Sequence, residues 1–250
     1  MLEEKVSIIT PSYNSSKFIQ ECINSVIAQT YKNWEMLIVD DCSKDDSREI
    51  IRCCSDTDKR IHYFFLNKNV GAAEARNVAI RNAKGRYIAF LDSDDIWLPQ
   101  KLEKQIAFMS ENSLAFTCTN YQPISENGKK NFRIIKVPKE INYNLYLKNT
   151  VIGCLTVIID IEITGAFEMP NIRSSHDMAL WLLIMKRGFS AYGLNDNLAR
   201  YRISSSSNTS NKIKASKDVW KVYREVEGLN LFFSLWYFLN YVFNAIKKRI

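Results

Sequence analysis

Short apolar runs and amphipathic helical patterns alternate along the first half of this 250-residue chain. Apolar runs bounded by proline or polar residues predict buried strands, and apolar residues three and four positions apart predict helices with one face on a sheet. The predicted strands are 6–10, 36–39, 60–66 and 86–91, with helices between and after them. This alternation predicts an α/β fold in which helices flank a mainly parallel sheet.

Polar and conformationally special residues mark the predicted helix ends. Ser15 or Ser16 is expected to cap the first helix, and Ser43 and Asp45 the second, because short polar side chains accept from free N–H groups there. Pro99 suits the first turn of the fourth helix, where an N–H has no intrahelical partner.

The second half of the chain is less regular. Strands are predicted at 114–121 and 156–160, with a Lys-rich polar stretch between them, and a helix is predicted at 176–187. Residues 204–211 are mostly Ser, Asn and Thr without periodicity, which is typical of a loop or linker. We therefore divide the chain into a main domain, residues 1–205, and a C-terminal helical tail, residues 206–250.

The tail contains an apolar helix followed by cations. Of the 18 residues from 229 to 246, 14 are apolar or aromatic, and the polar ones fall on a stripe about 120° wide. Trp236 and the basic residues at 247–249 suit an amphipathic helix on an anionic membrane surface. Packing on the main domain or on another subunit, as in a homodimer, and a marginal bilayer span stay open as alternatives.

The formal net charge of +7 is unevenly spread along the chain. Residues 212–250 include eight basic and three acidic side chains and therefore carry +5, which leaves about +2 for everything before them. This distribution disfavours nucleic acid as a partner. It indicates a basic C-terminal tail instead.

Histidine and cysteine usage limits the chemistry further. His62 and His176 are the only two histidines, so acid–base chemistry falls mainly to carboxylates. The six cysteines form no C-x-x-C pair and no zinc-type spacing. Residues 1–5 lead into a strand without a signal-peptide hydrophobic region, so we expect a reducing, cytoplasmic location.

Two acidic clusters follow predicted strands. Residues 92–95 read Asp-Ser-Asp-Asp and residues 40–41 read Asp-Asp. In parallel sheets ligands bind beyond the carboxyl ends of the strands, where both clusters fall. One or two carboxylates commonly hold Mg²⁺ or Mn²⁺ together with substrate phosphates. Aspartate is also a good helix cap, so both interpretations stay open at this point.

Arg76 and Asp177 are further candidates on predicted helices. The chain has no G-x-G-x-x-G and no P-loop, so a bound nucleotide would be held by side chains and a metal. Arg76 could supply positive charge to phosphates, although a helical arginine is usually solvated. Asp177 could act as a general base, or could simply be a first-turn acid that the helix dipole favours.

Taken together, these segments resemble the family 2 inverting glycosyltransferases, which have the Rossmann-like GT-A fold. The matching segments are 6–14, 39–43, 69–77 and 85–95, followed by 165–168, 176–181 and 201–202. They run in order over about residues 6–206, and an ordered set is far more specific than a lone D-x-D. The Q-x-x-R-W motif of processive synthases is absent, so one sugar per encounter is expected.

The resemblance implies a role for each candidate residue. Asp92 and Asp94 would form the D-x-D motif, with Asp94 favoured as the direct ligand of Mn²⁺ or Mg²⁺. Asp177 would be the general base. Tyr13 would pack beside the uracil, and Asp41 would accept a hydrogen bond from it. The implied nucleotide and donor contacts together are Thr10, Pro11, Tyr13, Asp41, Arg76, Asp92 and Ser93.

Two positions depart from the family's pattern. The residue before the base is usually acidic or Gln, and here it is His176. The residue two after the arginine of the closing Tyr-Arg motif is often His, and here it is Ser204. The first departure bears on acceptor preference, and the second on metal binding and loop closure.

The implied function is transfer of a hexose from a UDP-sugar to a hydroxyl of a saccharide acceptor. With the basic tail, we expect a polyprenyl-diphosphate-linked acceptor in bacterial O-antigen or capsule assembly, at the inner face of the cytoplasmic membrane. The alternatives are a nucleotide-binding scaffold without catalysis, a glycoside hydrolase with paired carboxylates, and a nucleotidyltransferase on a related sheet.

Overall fold

The computed structural model describes residues 4–204 and 212–247 and shows the predicted strand–helix alternation in its first half. The elements are β1 (Val6–Ser12), α1 (Ile19–Ile27), β2 (Trp34–Asp40), α2 (Ser47–Thr57), β3 (Ile61–Phe65), α3 (Ala72–Asn82) and β4 (Tyr87–Phe90). The predicted α/β fold class is confirmed.

The second half adds short elements and one long strand. They are β5 (Ile96–Trp97), α4 (Lys101–Asn112), β6 (Phe116–Ser125), β7 (Glu140–Ile141), α5 (Tyr143–Lys148), a 3-10 turn (Cys154–Thr156), β8 (Ile158–Asp160), α6 (Ile161–Thr164), α7 (His176–Lys186), β9 (Ala191–Ile203), α8 (Lys212–Lys221), a π-helical turn (Val222–Val226) and α9 (Leu231–Lys247). The sequence did not predict β9. Its central Asn-Asp-Asn and its Gly193 weaken the apolar pattern, and extensive pairing with β6 stabilises it instead.

In the described residues the strands form one sheet in the order β3-β2-β1-β4-β8-β6-β9-β5, with β7 paired to β9. β3, β2, β1 and β4 are parallel, whereas β8 is antiparallel to both β4 and β6. The predicted parallel arrangement therefore holds where helices connect the strands. The carboxyl ends of β1, β2 and β4 consequently meet at one edge of the sheet.

Two apolar layers cover the two faces of the sheet. Ile8 of β1 packs with α1, α2 and α4 on one face, and Ile9 packs with α3, α5 and α7 on the other. Successive strand residues point to opposite faces, so a continuously apolar strand such as β1 serves both layers.

The predicted cap of α1 is wrong. The Ser15 hydroxyl is hydrogen bonded to that of Ser12 at 2.7 Å, and neither Ser15 nor Ser16 caps the helix through its side chain. The Asp45 carboxylate accepts from the backbone N–H groups of Ser16 at 3.0 Å and Ser47 at 3.1 Å. These polar groups therefore join the start of α1 to the start of α2, because the two helices begin side by side.

The C-terminal segment packs on the main domain. Val219, Val222 and Tyr223 belong to the same apolar layer as α5 and α7, and Lys186 Nζ lies 3.1 Å from the buried carboxylate of Glu227. Of the predicted linker at 204–211, residues 205–211 lie outside the described residues. Within 4–204 and 212–247, no helix combines the length and apolar character needed to cross a membrane.

Lys101, in the first turn of α4, is fully buried. Its Nζ donates to Gln105 Oε1 at 2.8 Å and lies 4.3 Å from the ring centre of Trp97. Burial away from any carboxylate partner lowers the pKa of this lysine to about 7. Its charge is therefore strongly disfavoured in the folded chain.

This buried lysine gives a stability prediction. The pKa of Lys101 is about 7 in the fold against 10.5 for an ordinary lysine, so between these values the unfolded chain binds more protons. The free energy of unfolding should therefore rise as the pH increases from about 7 to 10.5. Below about pH 7 this lysine is protonated in both states, so it adds no further dependence on pH. Lys101→Met should flatten that rise, as measured by urea unfolding at a series of pH values.

Lys104→Met is the matched control, because Lys104 lies on the same helix, is exposed and pairs with Asp196. For this variant the free energy of unfolding should rise with pH as steeply as it does for the parent chain. Equal slopes for Lys101→Met and the parent would contradict the prediction.

Candidate functional site

The carboxyl ends of β1, β2 and β4 place the predicted site residues along one edge of the sheet. The backbone N–H of Asp41 donates to Ser12 O at 2.8 Å, which holds the ends of β1 and β2 together. The loop at residues 92–95, here called the acidic loop, follows β4 directly. Thr10, at the end of β1, and Asp177, at the start of α7, belong to elements that border this edge.

The residues at the end of β1 differ in exposure. Thr10 is fully buried, and its hydroxyl has no hydrogen-bond partner in the described residues. Pro11 is half-buried, and the Tyr13 side chain is 51% exposed. An exposed aromatic ring beside an unpartnered buried hydroxyl suits a ligand that combines a flat base with polar atoms.

The two aspartates at the end of β2 have different contacts. Asp40 is buried and accepts from Arg48 Nε at 2.6 Å and from the backbone N–H of Ser43 at 3.0 Å, so its role is local structure. Asp41 instead accepts from the backbone N–H groups of Val70 at 2.7 Å and Gly71 at 2.8 Å. It thereby positions the start of α3, and each oxygen keeps a further lone pair.

Arg76 connects two parts of the site from the middle of α3. Only 4% of the residue is exposed, so the solvated interpretation is wrong. Its Nη2 donates to Asp92 Oδ1 in the acidic loop, and its Nη1 donates to His176 Nε2 at 2.6 Å. A guanidinium has no acceptor, so His176 must accept here through an unprotonated Nε2.

The charges around Arg76 favour this arrangement. Burial is the largest single influence and opposes the charge of Arg76, but Asp92, Cys154 and Asp177 together outweigh it, and the pKa of Arg76 rises above its ordinary value. Asp177 contributes to the same rise, so its carboxylate lies within electrostatic range. Burial and the neighbouring Arg76 lower the pKa of His176, which keeps the imidazole neutral.

Asp177 lies in the first turn of α7, half-buried and directly after His176. Ser175, the N-cap of α7, has a left-handed backbone, with φ of 57°, that turns the chain into the helix. No hydrogen bond within residues 4–204 and 212–247 involves the Asp177 carboxylate. An ionisable group beside a buried cation and without a partner is available to a substrate proton.

The acidic loop does not cap α4, whose N-cap is Gln100, so the capping interpretation is wrong. Asp94 is partly buried, and this burial together with the nearby Asp92 raises its pKa to about 6. Asp95 is buried, and its Oδ2 has no partner in the described part of the chain. Ser93 lies half-buried between Asp92 and Asp94. A bound cation would relieve this crowding of carboxylates.

Arg202 fastens the acidic loop from β9, a contact that sequence analysis missed. Its Nε donates to Asp94 O and its Nη1 to Glu126 O, both at 2.8 Å, while its Nη2 donates to Glu21 Oε2 at 2.6 Å. Its backbone N–H donates to Asp95 Oδ1 at 2.8 Å. The Tyr-Arg motif was visible in the sequence, but the acceptors of Arg202 come from three distant segments.

The carboxylates suit a hard cation only in combination with a ligand. In the described segments no group of three or more His, Cys, Asp or Glu side chains is arranged to hold a metal ion. Asp92 and Asp94 contribute oxygen donors, but Asp92 is already paired with Arg76. One or two carboxylates completed by substrate phosphates are typical of Mg²⁺ and Mn²⁺ sites.

The family model described as Glycosyl transferase family 2 matches residues 7–160 of this chain. The chain belongs to glycosyl transferase family 2. A Bacillus subtilis (strain 168) relative, provisionally named teichuronic acid biosynthesis glycosyltransferase TuaG, is 50% identical over 98% of this chain and 97% of its own length. Membership of this family, expected from the ordered motifs, is confirmed.

A second relative carries a more specific name. Escherichia coli WfgD, named UDP-Glc:alpha-D-GlcNAc-diphosphoundecaprenol beta-1,3-glucosyltransferase, is 43% identical over 98% of this chain and 94% of its own length. The relatives are thus glycosyltransferases of cell-surface polysaccharide biosynthesis.

Solved structures share the GT-A fold. The S. aureus TarS 1–349 complex with UDP-GlcNAc superposes with a TM-score of 0.69 at 23% identity, over 88% of this chain and 64% of TarS. The Pyrobaculum calidifontis mannosyltransferase PcManGT, in complex with GDP-Man and Mn²⁺, gives 0.70 at 16% identity, over 92% and 66%. These likenesses establish the architecture of the domain.

Removing the Arg202 side chain should loosen the acidic loop. Arg202→Met deletes several charge-assisted hydrogen bonds of a buried group, which costs about 2–4 kcal/mol. In a chain of this size the melting temperature should fall by roughly 5–10 °C. Differential scanning calorimetry measures this change.

Arg200→Met is the control, because Arg200 is exposed and lies two residues earlier on the same strand. Its melting temperature should stay near that of the parent. If Arg202→Met and Arg200→Met have the same melting temperature, Arg202 does not fasten the loop.

Proposed function

We propose that this chain transfers a hexose from a UDP-sugar to a hydroxyl of a polyprenyl-diphosphate-linked saccharide, one sugar at a time and with inversion. The observation that carries the proposal is the Asp177 carboxylate, which lies without a hydrogen-bond partner in the described chain next to the Arg76–Asp92 pair. The names of the relatives support the donor and acceptor classes, since WfgD is named for UDP-Glc and an undecaprenol-linked acceptor.

The donor nucleotide would bind at the ends of β1 and β2. The exposed ring of Tyr13 would stack on the uracil, next to Pro11, and the remaining lone pairs of Asp41 would accept from its N–H. The unpartnered Thr10 hydroxyl would gain a partner from the nucleotide. TarS, which has the same fold, is described in complex with UDP and with UDP-GlcNAc.

The diphosphate would lie against Arg76 and the acidic loop. Asp94, assisted by Asp92 and adjoining Ser93, would hold Mn²⁺ or Mg²⁺, because the crowded carboxylates offer only oxygen donors. When bound, the cation stabilises the negative charge that develops on the departing diphosphate. The fastening of the loop by Arg202 keeps these carboxylates in place.

Asp177 would take the proton of the acceptor hydroxyl. As that oxygen forms its bond to the anomeric carbon, the bond from this carbon to the diphosphate oxygen breaks, and the electron pair leaves with UDP. Attack from the side opposite to the leaving group inverts the anomeric configuration. His176 stays neutral and holds Arg76 beside Asp92. It thereby orients the guanidinium of Arg76 toward the phosphates and leaves the proton transfer to Asp177.

Asp177→Asn is the first test of this mechanism. The amide keeps the shape but cannot accept the proton, so turnover should fall about 10²–10⁴-fold while UDP binding is retained. UDP release with UDP-glucose and an undecaprenyl-diphosphate-linked GlcNAc acceptor measures turnover, and calorimetric titration measures binding. Asp196→Asn, at a partly exposed aspartate that pairs with Lys104, should leave turnover unchanged.

The rival scaffold function makes the opposite prediction. A nucleotide-binding scaffold should bind UDP without any turnover in the parent chain, and Asp177→Asn should not alter its function in cells. Release of pyrophosphate would indicate a nucleotidyltransferase instead. Cleavage of saccharides without a nucleotide would indicate a hydrolase.

Asp94→Ala tests the metal and donor site separately from turnover. UDP with Mn²⁺ should raise the melting temperature of the parent by mass action, and by more than either alone. The variant should lose the part of this shift that needs Mn²⁺, whereas Asp56→Ala, an exposed position on α2, should keep it. A shift in the parent that is independent of Mn²⁺ would remove the metal from the proposal.

A further inference from the structure

Helix α9 presents a continuous apolar face to solvent. Seven of its large apolar side chains are between 47% and 74% exposed, namely Leu231, Phe232, Phe233, Leu235, Trp236, Leu239 and Phe243. Six of them, all except Phe233, fall within about 140° around the helix at 100° per residue. An exposed patch of this kind on a well-packed chain marks an interaction surface.

The polar residues of α9 point toward the protein. Ser234 is fully buried, Asn244 Nδ2 donates to Lys148 O at 3.1 Å, and the Tyr237 hydroxyl donates to Asn144 Oδ1 at 2.8 Å. These contacts hold α9 against α5. The polar stripe therefore faces the domain together with Tyr237, Phe238 and Tyr241, and the most apolar side of α9 is left uncovered.

Cations border this surface. Helix α8 packs against α9 through the edge-to-face contact of Trp220 and Phe238 at 5.4 Å. Lys214, Lys217 and Lys221 form one exposed row on α8, and Lys217 lies one turn before Trp220, on the same side of the helix. The chain continues beyond α9 with two further basic residues at 248–249.

We propose that the outer face of α9 inserts into the surface of an anionic lipid bilayer, with the lysine row of α8 against the headgroups. Apolar and aromatic side chains on a helix that lies in the interface, next to cations, match such a surface in both hydrophobicity and charge. A second copy of the chain fits less well. A symmetric contact would bring a second lysine row to the same apolar surface, and like charges oppose association.

The test is flotation of the purified full chain with vesicles of phosphatidylcholine alone or mixed with phosphatidylglycerol, without nucleotide. The chain should float with the anionic vesicles, and much less with the neutral vesicles or in high salt. Leu239→Ser with Phe243→Ser should weaken partitioning by about a hundredfold, since each large apolar side chain contributes about tenfold. Ile163→Ser, at an exposed apolar residue on α6, should bind like the parent.

A separate pair of double variants tests whether the lysine row of α8 causes the preference for anionic vesicles. Lys217→Glu with Lys221→Glu should abolish the preference for anionic vesicles, whereas Lys59→Glu with Lys84→Glu, at exposed lysines elsewhere, should retain it. Circular dichroism and the melting temperature of each variant separate lost binding from lost folding.

Two outcomes would overturn the proposal. One is absence of the parent from floated anionic vesicles. The other is a dimer in sedimentation velocity that Leu239→Ser with Phe243→Ser dissociates, because the face would then be an interface between copies. Neither result depends on the proposed transfer activity, which is measured with UDP release.

Discussion

The buried guanidinium of Arg76 is the contact on which the rest of the site depends. It joins Asp92, in the loop after β4, to His176, at the start of α7, and only 4% of the residue is exposed. Removing one partner from a buried ion pair typically costs about 3–5 kcal/mol, because the other charge is left without compensation. The acidic loop and the helix that carries Asp177 are therefore held in one mutual arrangement.

Helix α3 can carry this contact because it packs closely on the sheet. Its buried positions include Ala73, Ala75 and Ala79, whose small side chains bring the helix backbone near β1 and β2. Asp41 holds the N-terminus of α3, and Asn77 exchanges two hydrogen bonds with the backbone of Met169, at 2.7 and 2.9 Å. One helix thus connects the nucleotide side, the acidic loop and the segment that leads into α7.

Helices α7 and α9 have similar compositions but pack differently in the fold. Both are rich in Leu, Trp and other apolar residues. Helix α7 is enclosed by the sheet and α5 and buries Leu180, Trp181 and Ile184 completely. Helix α9 contacts the domain through its polar stripe and through Tyr237, Phe238 and Tyr241, and leaves Trp236 and Leu239 outside. An apolar helix is predictable from composition, but which side is covered depends on what the rest of the chain places beside it.

The sequence by itself determined the strand–helix alternation of residues 6–112 and the family, and it placed the acidic run at 92–95 after a strand and Asp177 in the first turn of a helix. These features are local, because apolar periodicity and short ordered motifs do not require knowledge of distant partners. It did not reveal β9, whose polar centre is stabilised by pairing with β6. Nor did it reveal the contacts of Arg76, His176 and Arg202, or decide which side of α9 is covered. Only the tertiary structure decided these points. A buried charge is stable only with partners, and here distant segments of the chain provide them. Which side chains of α9 stay exposed likewise depends on what packs against the helix.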